Sequence, residues 1–250
     1  REATILRRLV GRHAGPFPKP ALVRIWREIF SAHVGQQGPF SVAVLANGAG
    51  DTDGTGGYWD LARDQYGSIT PMTAHPSASR VIDTVARGNA TIGVLPMPAQ
   101  DDAEPWWPHL TNQGTNAPRI VARLPFCGAG NSRNGGADAL VIGGFMPEQT
   151  DNDRTLVVID MAKDIAPSRL KKRLADGGLK ATFHALWHNE QTAGAWLHLA
   201  ELEGFIDADN SLLRNVAAGE VHDIERTVVL GAYAVPLTPK ETAPGKEKRR

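Results

Sequence analysis

The apolar residues of this chain change their spacing at Gly38-Pro39. Before that point they recur every three or four positions: Ile5, Leu6, Leu9 and Val10, then Leu22, Ile25, Trp26, Ile29 and Phe30. That spacing predicts two amphipathic helices. The first runs to about His13, with Arg7, Arg8, Arg12 and His13 on its other face. The second runs from about Pro20 to Gly35, with Arg24, Arg27 and Glu28 turned away from the apolar side. Gly15-Pro16-Phe17-Pro18 separates them, and Gly35-Gln36-Gln37-Gly38-Pro39 stops the second. After Pro39 the apolar residues come in short unbroken runs, Phe40 to Leu45 and Ala90 to Leu95. Runs of that length read as buried strands. The chain must therefore join a helical segment to a sheet-bearing one.

The middle of the chain alternates strand and helix. Tyr58 to Tyr66 and Ser77 to Arg87 read as helices, and Ile120 to Leu124 and Ala139 to Gly143 as further strands. Alternation of this kind predicts a largely parallel α/β sheet. Asn47 to Gly57 and Gly128 to Gly136 are rich in Gly, Asn, Asp and Ser and read as loops. The last third has its own order. Strands at Thr155 to Asp160, Leu179 to His188, Ala195 to Glu203 and Thr227 to Val235 enclose helices at Ser168 to Asp176 and Ser211 to Ala218. That is βαββαβ, the ferredoxin-like arrangement of an α+β domain. The tail from Thr238 is polar, charged and expected to be disordered.

Composition narrows the function. Formal net charge is zero across 250 residues, so no global field pulls the chain toward nucleic acid or membrane. The single cysteine, Cys127, rules out an internal disulfide framework and a multi-cysteine zinc site and fits the reducing cytoplasm. No apolar run reaches the roughly 20 residues of a membrane span, and no signal peptide is recognisable. Arg1 already lies inside the first helical pattern, so the chain reads as a fragment.

Three local patterns give the order a family resemblance. Arg1-Glu2-Ala3-Thr4-Ile5-Leu6 is similar to the Arg-Glu that opens the second helix of helical chorismate mutases. Ser77 to Gly88, leading into Ile92-Gly-Val-Leu-Pro96, resembles the Ser…Val…Val…Gly helix and Gly-Val-(Val/Leu)-Pro strand end of prephenate dehydratases. Leu230-Gly-Ala-Tyr233 resembles the Leu-Gly-Ser-Tyr that ends the regulatory ACT domain, and Glu203-Gly204 the acidic-Gly pair of an earlier ACT strand. The chain as a whole resembles the chorismate mutase–prephenate dehydratase fusion family of phenylalanine biosynthesis. The resemblance implies a partial helical mutase domain over 1–37 and a dehydratase-like, periplasmic-binding-protein-like α/β domain over 38–152. It further implies an ACT-like domain over 153–237 and a disordered tail over 238–250.

The resemblance also implies a site. Chorismate rearranges without a covalent intermediate, so the enzyme clamps a dianion in a compact conformer and stabilises charge on the breaking ether oxygen. Arg1 is then a carboxylate or ether-side contact and Glu2 holds the substrate hydroxyl. Ser31, Gln36 and Gln37 at the end of the second helix supply the remaining polar contacts. The family spacing of four is met by His33 and Gln37, whereas Ser31 and Gln36 are five apart, so two registers stay open. The rest of the cationic clamp belongs, by resemblance, to a helix ahead of Arg1. The 250-residue chain alone is expected to be inactive as a mutase, and its substrates are chorismate and prephenate. A homodimer is expected from the way mutase helices interlock. No cofactor or metal is called for.

The dehydratase motifs depart from the family. Its Thr-Arg-Phe triplet is replaced by Ala137-Asp138-Ala139, in which Asp138 is expected to repel a dianion. Glu-Asn-Ser is replaced by Met97-Pro98-Ala99-Gln100, and Gly-Pro-x-Gly-Thr by Asn47 to Gly57. The ACT phenylalanine motifs are also missing around Ile165 to Ser168 and Leu186 to His188. Two alternatives therefore stand beside the mutase. One is a non-catalytic module that senses an aromatic metabolite or binds a partner; the other is a dehydratase with relocated groups. Thr52, Thr55, Ser77 and Ser79 are candidate anion contacts near helix starts, with Ser77 read first as a helix cap. The pair Trp106-Trp107 reads as a core element. His184, His188 and His198 lie on neighbouring predicted strands without acidic partners at metal spacing. Asp51-Thr-Asp-Gly-Thr lacks the later Glu of a calcium loop.

Overall fold

The computed structural model describes residues 1–46, 56–100, 102, 104–112, 114, 117–128, 137–188, 196–217 and 223–243. Of the loops expected over Asn47 to Gly57 and Gly128 to Gly136, residues 47–55 and 129–136, with Thr52, Thr55 and the Asp51 segment, lie outside the described residues. The chain divides into two compact units. One holds Arg1–Met97, Ala122–Gly144 and the segment from Ala234; the other holds Pro98–Val121 and Phe145–Tyr233. The helical stretch and the first α/β stretch thus share a unit.

In the first unit, α1 (Glu2–Arg12) and α2 (Lys19–Gln37) form a helical hairpin. Pro20 sits in the first turn of α2, where a missing N–H is harmless. Leu6, Val10 and Val23 bury together with Phe126 and Leu237. The buried stripe of α2 is Val23, Arg27 and Ser31, which corrects the expected face. Ile25 and Ile29 remain 50% and 48% exposed, while Trp26 and Phe30 are half-buried. The helix is turned because α2 packs on α3 (Gly56–Tyr66) as well as on α1. Ser31 donates to the Tyr66 carbonyl and lies 2.7 Å from the Thr70 hydroxyl, so it satisfies an end carbonyl of α3.

The sheet of this unit runs β2 (Met72–His75), β1 (Val42–Leu45), β3 (Ile92–Pro96), β5 (Ala139–Gly143), with the end of β4 (Arg119–Leu124) next. β1 pairs parallel with β2 and β3, but β3 and β5 are antiparallel. The sheet is mixed, which corrects the largely parallel expectation: β5 runs antiparallel to β3, from Ala139 opposite Pro96 to Gly143 opposite Ile92. β2 went unread because Met72-Thr-Ala-His75 is an edge strand with both middle residues exposed. α4 (Ala78–Ala86) packs on β1 and β3, and Ser77 is its cap, accepting from the Arg80 amide at 3.4 Å. Part of the expected disordered tail is ordered. α7 (Pro239–Thr242) carries a capping box between Thr238 and Glu241, and Leu237 N–H donates to the Phe126 carbonyl at 2.7 Å.

The second unit carries the predicted βαββαβ order. Its elements are β6 (Asp153–Met161), α5 (Pro167–Asp176), β7 (Ala181–His188), β8 (Trp196–Glu203), α6 (Ser211–Ala217) and β9 (Ile224–Ala234). The strands lie β9-β6-β8-β7, the first and last strands of the motif side by side at one end. The core under the helices is built by Val157, Ile159, Leu170, Leu174, Leu202 and Leu213, among others. β4 meets β9 at Ile120 and Gly231. Gly231 has φ +138°, and a Cβ there would strike the Ile120 backbone, so only glycine fits. Trp106 and Trp107 are buried at the start of a short 3-10 turn, Trp107–Thr111, as the core reading of that pair requires. Among the described residues, no helix is long and apolar enough to cross a membrane.

Candidate functional site

Two of the five mutase-site candidates sit at the start of α1. Arg1 is exposed at the N-cap position and Glu2 is in the first turn. Glu2 Oε2 accepts from Arg27 Nη1 at 2.7 Å, with side-chain exposures of 45% and 6%. Ser31 lies one turn further along α2, buried, its hydroxyl engaged with Tyr66 and Thr70. Gln36 and Gln37 are exposed in the last turn of α2. At ~1.5 Å per residue they stand about 7.5 to 9 Å beyond Ser31 along the axis. Glu2 and Arg27 therefore meet, while the two glutamines occupy the hairpin's outer end.

Arg27 is the residue that sequence reasoning missed. Its guanidinium stacks over Phe126 at 5.1 Å, with Arg7 at 5.8 Å from the same ring. Gln65, with its amide oxygen turned inward, accepts from Nη1 at 2.9 Å and Nη2 at 3.0 Å. Burial pushes the Arg27 pKa down, and the Glu2 charge opposes that shift. Tyr66, buried beside it, has its phenol pushed up by burial, with the Arg27 charge pulling the other way. The signal available in sequence was the stripe Val23, Arg27, Ser31 at helical spacing, flanked by Trp26 and Phe30.

A second cluster lies at the carboxyl ends of β1 and β3, where open α/β sheets bind ligands. Asp138 precedes β5, and its carbonyl accepts from Met97 N–H at 3.3 Å. Arg123 Nη2 donates to Asp138 Oδ2 at 2.7 Å. Asp138, where a repulsive charge was expected, thus stands paired with a guanidinium from β4. Tyr58, at the start of α3, has its phenol pushed up by burial and then by the Asp138 charge. Ala137 supplies no hydroxyl to this cluster.

The three histidines of the second unit go separate ways. His184 Nε2 is 3.0 Å from Glu201, which also accepts from Tyr233 at 2.6 Å. His188 stacks on Trp196 at 4.0 Å. His198 is fully buried, edge-on to Phe183 at 6.1 Å. Among the described residues, no group of three His, Cys, Asp or Glu could hold a metal ion.

No protein-family model matches the chain, and no curated protein matches it either. Solved structures do. Prephenate dehydratase from Streptococcus mutans aligns with TM-score 0.54 at 14% identity, over 79% of this chain and 98% of that one. Prephenate dehydratase from Arthrobacter aurescens, in complex with L-Phe, aligns with TM-score 0.53 at 14% identity, over 82% and 93%. GqqA, described as a novel type of quorum quenching acylase, aligns with TM-score 0.55 at 17% identity, over 83% and 100%. At such identities the likeness is one of architecture: the chain has a prephenate dehydratase-like fold, an α/β region with an ACT-like βαββαβ unit.

Proposed function

We propose that the protein is a chorismate mutase of aromatic amino acid biosynthesis, its site built at the open end of the α1–α2 hairpin on a dehydratase-like scaffold. The observation that carries this reading is the Glu2–Arg27 pair. Arg27 holds one Glu2 oxygen at 2.7 Å, while the Glu2 side chain stays 45% exposed. Glu2 is thus a fixed acceptor with an oxygen available to a substrate hydroxyl, and fixed groups are what a reaction without covalent intermediates needs. Arg1 stands next to it for a carboxylate. Gln36 and Gln37 at the end of α2, with Ser31 or His33 according to the register, complete the polar set, and the resemblance assigns the remaining cations to a helix ahead of Arg1. A homodimer in the cytoplasm goes with this reading, and exposed Ile25 and Ile29 offer α2 an apolar face for a second copy.

Arg123 favours a second reading, a prephenate dehydratase with relocated groups. It brings a guanidinium to the ligand end of the sheet, where the family arginine is replaced by Asp138. One pair of assays separates the two. The protein at its full natural length is given chorismate and prephenate separately. The mutase reading expects chorismate to be consumed, with Glu2→Ala slowing the reaction about 100-fold or more, the scale of one lost transition-state contact, and Arg123→Ala leaving it unchanged. The dehydratase reading expects phenylpyruvate from prephenate and the opposite sensitivity. Turnover of neither substrate removes both.

A further inference from the structure

The first unit holds a cleft of about 260 Å³, open to solvent on one side, between α2, α3 and the turn after β4. That is smaller than the ~300–1,000 Å³ of pockets for drug-sized ligands, so it suits a metabolite of amino-acid size. Its walls combine two kinds of surface. Leu61 and Phe126, both buried, make an apolar side. Arg27, Arg24, Asp64 and Gln65 make a polar one.

The polar side carries both signs of charge. Arg27 is 6% exposed at its side chain and Asp64 18%. Glu2 and Gln65 take three of the five donors of the Arg27 guanidinium. Arg24, 57% exposed, pairs with Asp64 from the solvent side. Burial still pushes Arg27 down and Asp64 up, against the pull of those partners. Arg27, the buried ion, therefore gains from a further opposite charge, while Asp64 sets a negative charge on the same wall. A simple anion would satisfy Arg27 and meet Asp64, and a simple cation would do the reverse. A zwitterion satisfies both.

We propose that this cavity binds a free α-amino acid with an apolar side chain, its carboxylate on Arg27, its ammonium on Asp64 and its side chain against Leu61 and Phe126. Neither the mutase nor the dehydratase reading is needed for it.

Calorimetric titration of the whole protein tests this with L-phenylalanine, L-leucine, 3-phenylpropionate and phenethylamine. The expected result is binding of at least one amino acid, with both single-charge analogues at least tenfold weaker. Asp64→Asn keeps the shape of the side chain and its contact with Arg24, and is expected to weaken the amino acid at least tenfold. Arg27→Lys, with its fold checked by circular dichroism, is expected to do the same; the analogue comparison stands without any variant. No heat with either amino acid overturns the proposal. So does 3-phenylpropionate binding as tightly as L-phenylalanine. Amino-acid binding that Asp64→Asn leaves unchanged also overturns it, because the ligand then sits elsewhere, the ACT-like unit included.

Discussion

His198 shows how a single side chain sets a condition on the fold. It lies on β8 between Leu197 and Leu199, fully buried, and neither ring nitrogen has a hydrogen-bond partner among the described residues. An unsatisfied buried polar group is destabilising by about 1–3 kcal/mol. Burial also pushes its pKa below the ordinary 6.5, only partly opposed by Asp164. Below pH 6.5 the unfolded chain therefore binds a proton that the folded chain does not, and stability falls as pH falls. His198→Leu is expected to raise the urea midpoint at pH 7.5 and to flatten its decline between pH 7 and pH 5. An identical decline in both proteins would show that another group carries the acid sensitivity. Sequence placed His198 on a strand but not on a face. It shares its parity with Ala200 and Leu202 of the core, while Leu197 and Leu199 on the other parity are buried as well, and only the pairing of β8 with β6 and β7 covers both faces.

Among the elements, those read correctly have a period set by one partner. The βαββαβ order was legible because β6 and β9 carry apolar runs, Leu156 to Ile159 and Val228 to Leu230, and α5 has one inward stripe, Leu170 and Leu174. α2 was misread because it serves two partners. Its most apolar stripe, Ile25 and Ile29, faces outward, and the buried one contains Arg27 and Ser31. Nothing in local hydrophobicity favours that choice. It follows from a serine that reaches the end of α3 and an arginine that reaches Glu2 on α1. Gly67 belongs to the same junction. It has φ +86°, and a Cβ there would fall 2.7 Å from Ser31 Oγ. Gly67→Ala is expected to lower stability by at least the ~1–2 kcal/mol of a left-handed non-glycine residue, and Ser31→Ala by about 1 kcal/mol for its hydrogen bond. Thermal melts of the two single variants and the double variant check this. Because both residues hold α2 on α3, the effects are expected to be less than additive. Full additivity would mean that Ser31 and Gly67 act separately.

For the whole molecule, the hairpin raises the question of what covers α2. Ile25 and Ile29 are one turn apart, half-exposed, with Phe17 at 46% exposure in the preceding loop. Single exposed apolar residues are ordinary, but an aligned pair on one helix face is a candidate interface. A second copy of the hairpin would bury the pair without adding charge, since the chain has a formal net charge of zero and no long-range repulsion opposes self-association. At about 25 cal/mol per Å² of apolar surface, the pair alone contributes only a few kcal/mol, so the dimer is expected to depend on concentration and on helix packing around it. The replacement Ile25→Ser with Ile29→Ser leaves the buried stripe of Val23, Arg27 and Ser31 untouched. Sedimentation velocity is expected to show the unmodified protein as a dimer at micromolar concentration and the double variant as a monomer with unchanged helical circular dichroism. A double variant that sediments like the unmodified protein would remove this face as an interface between copies of the chain.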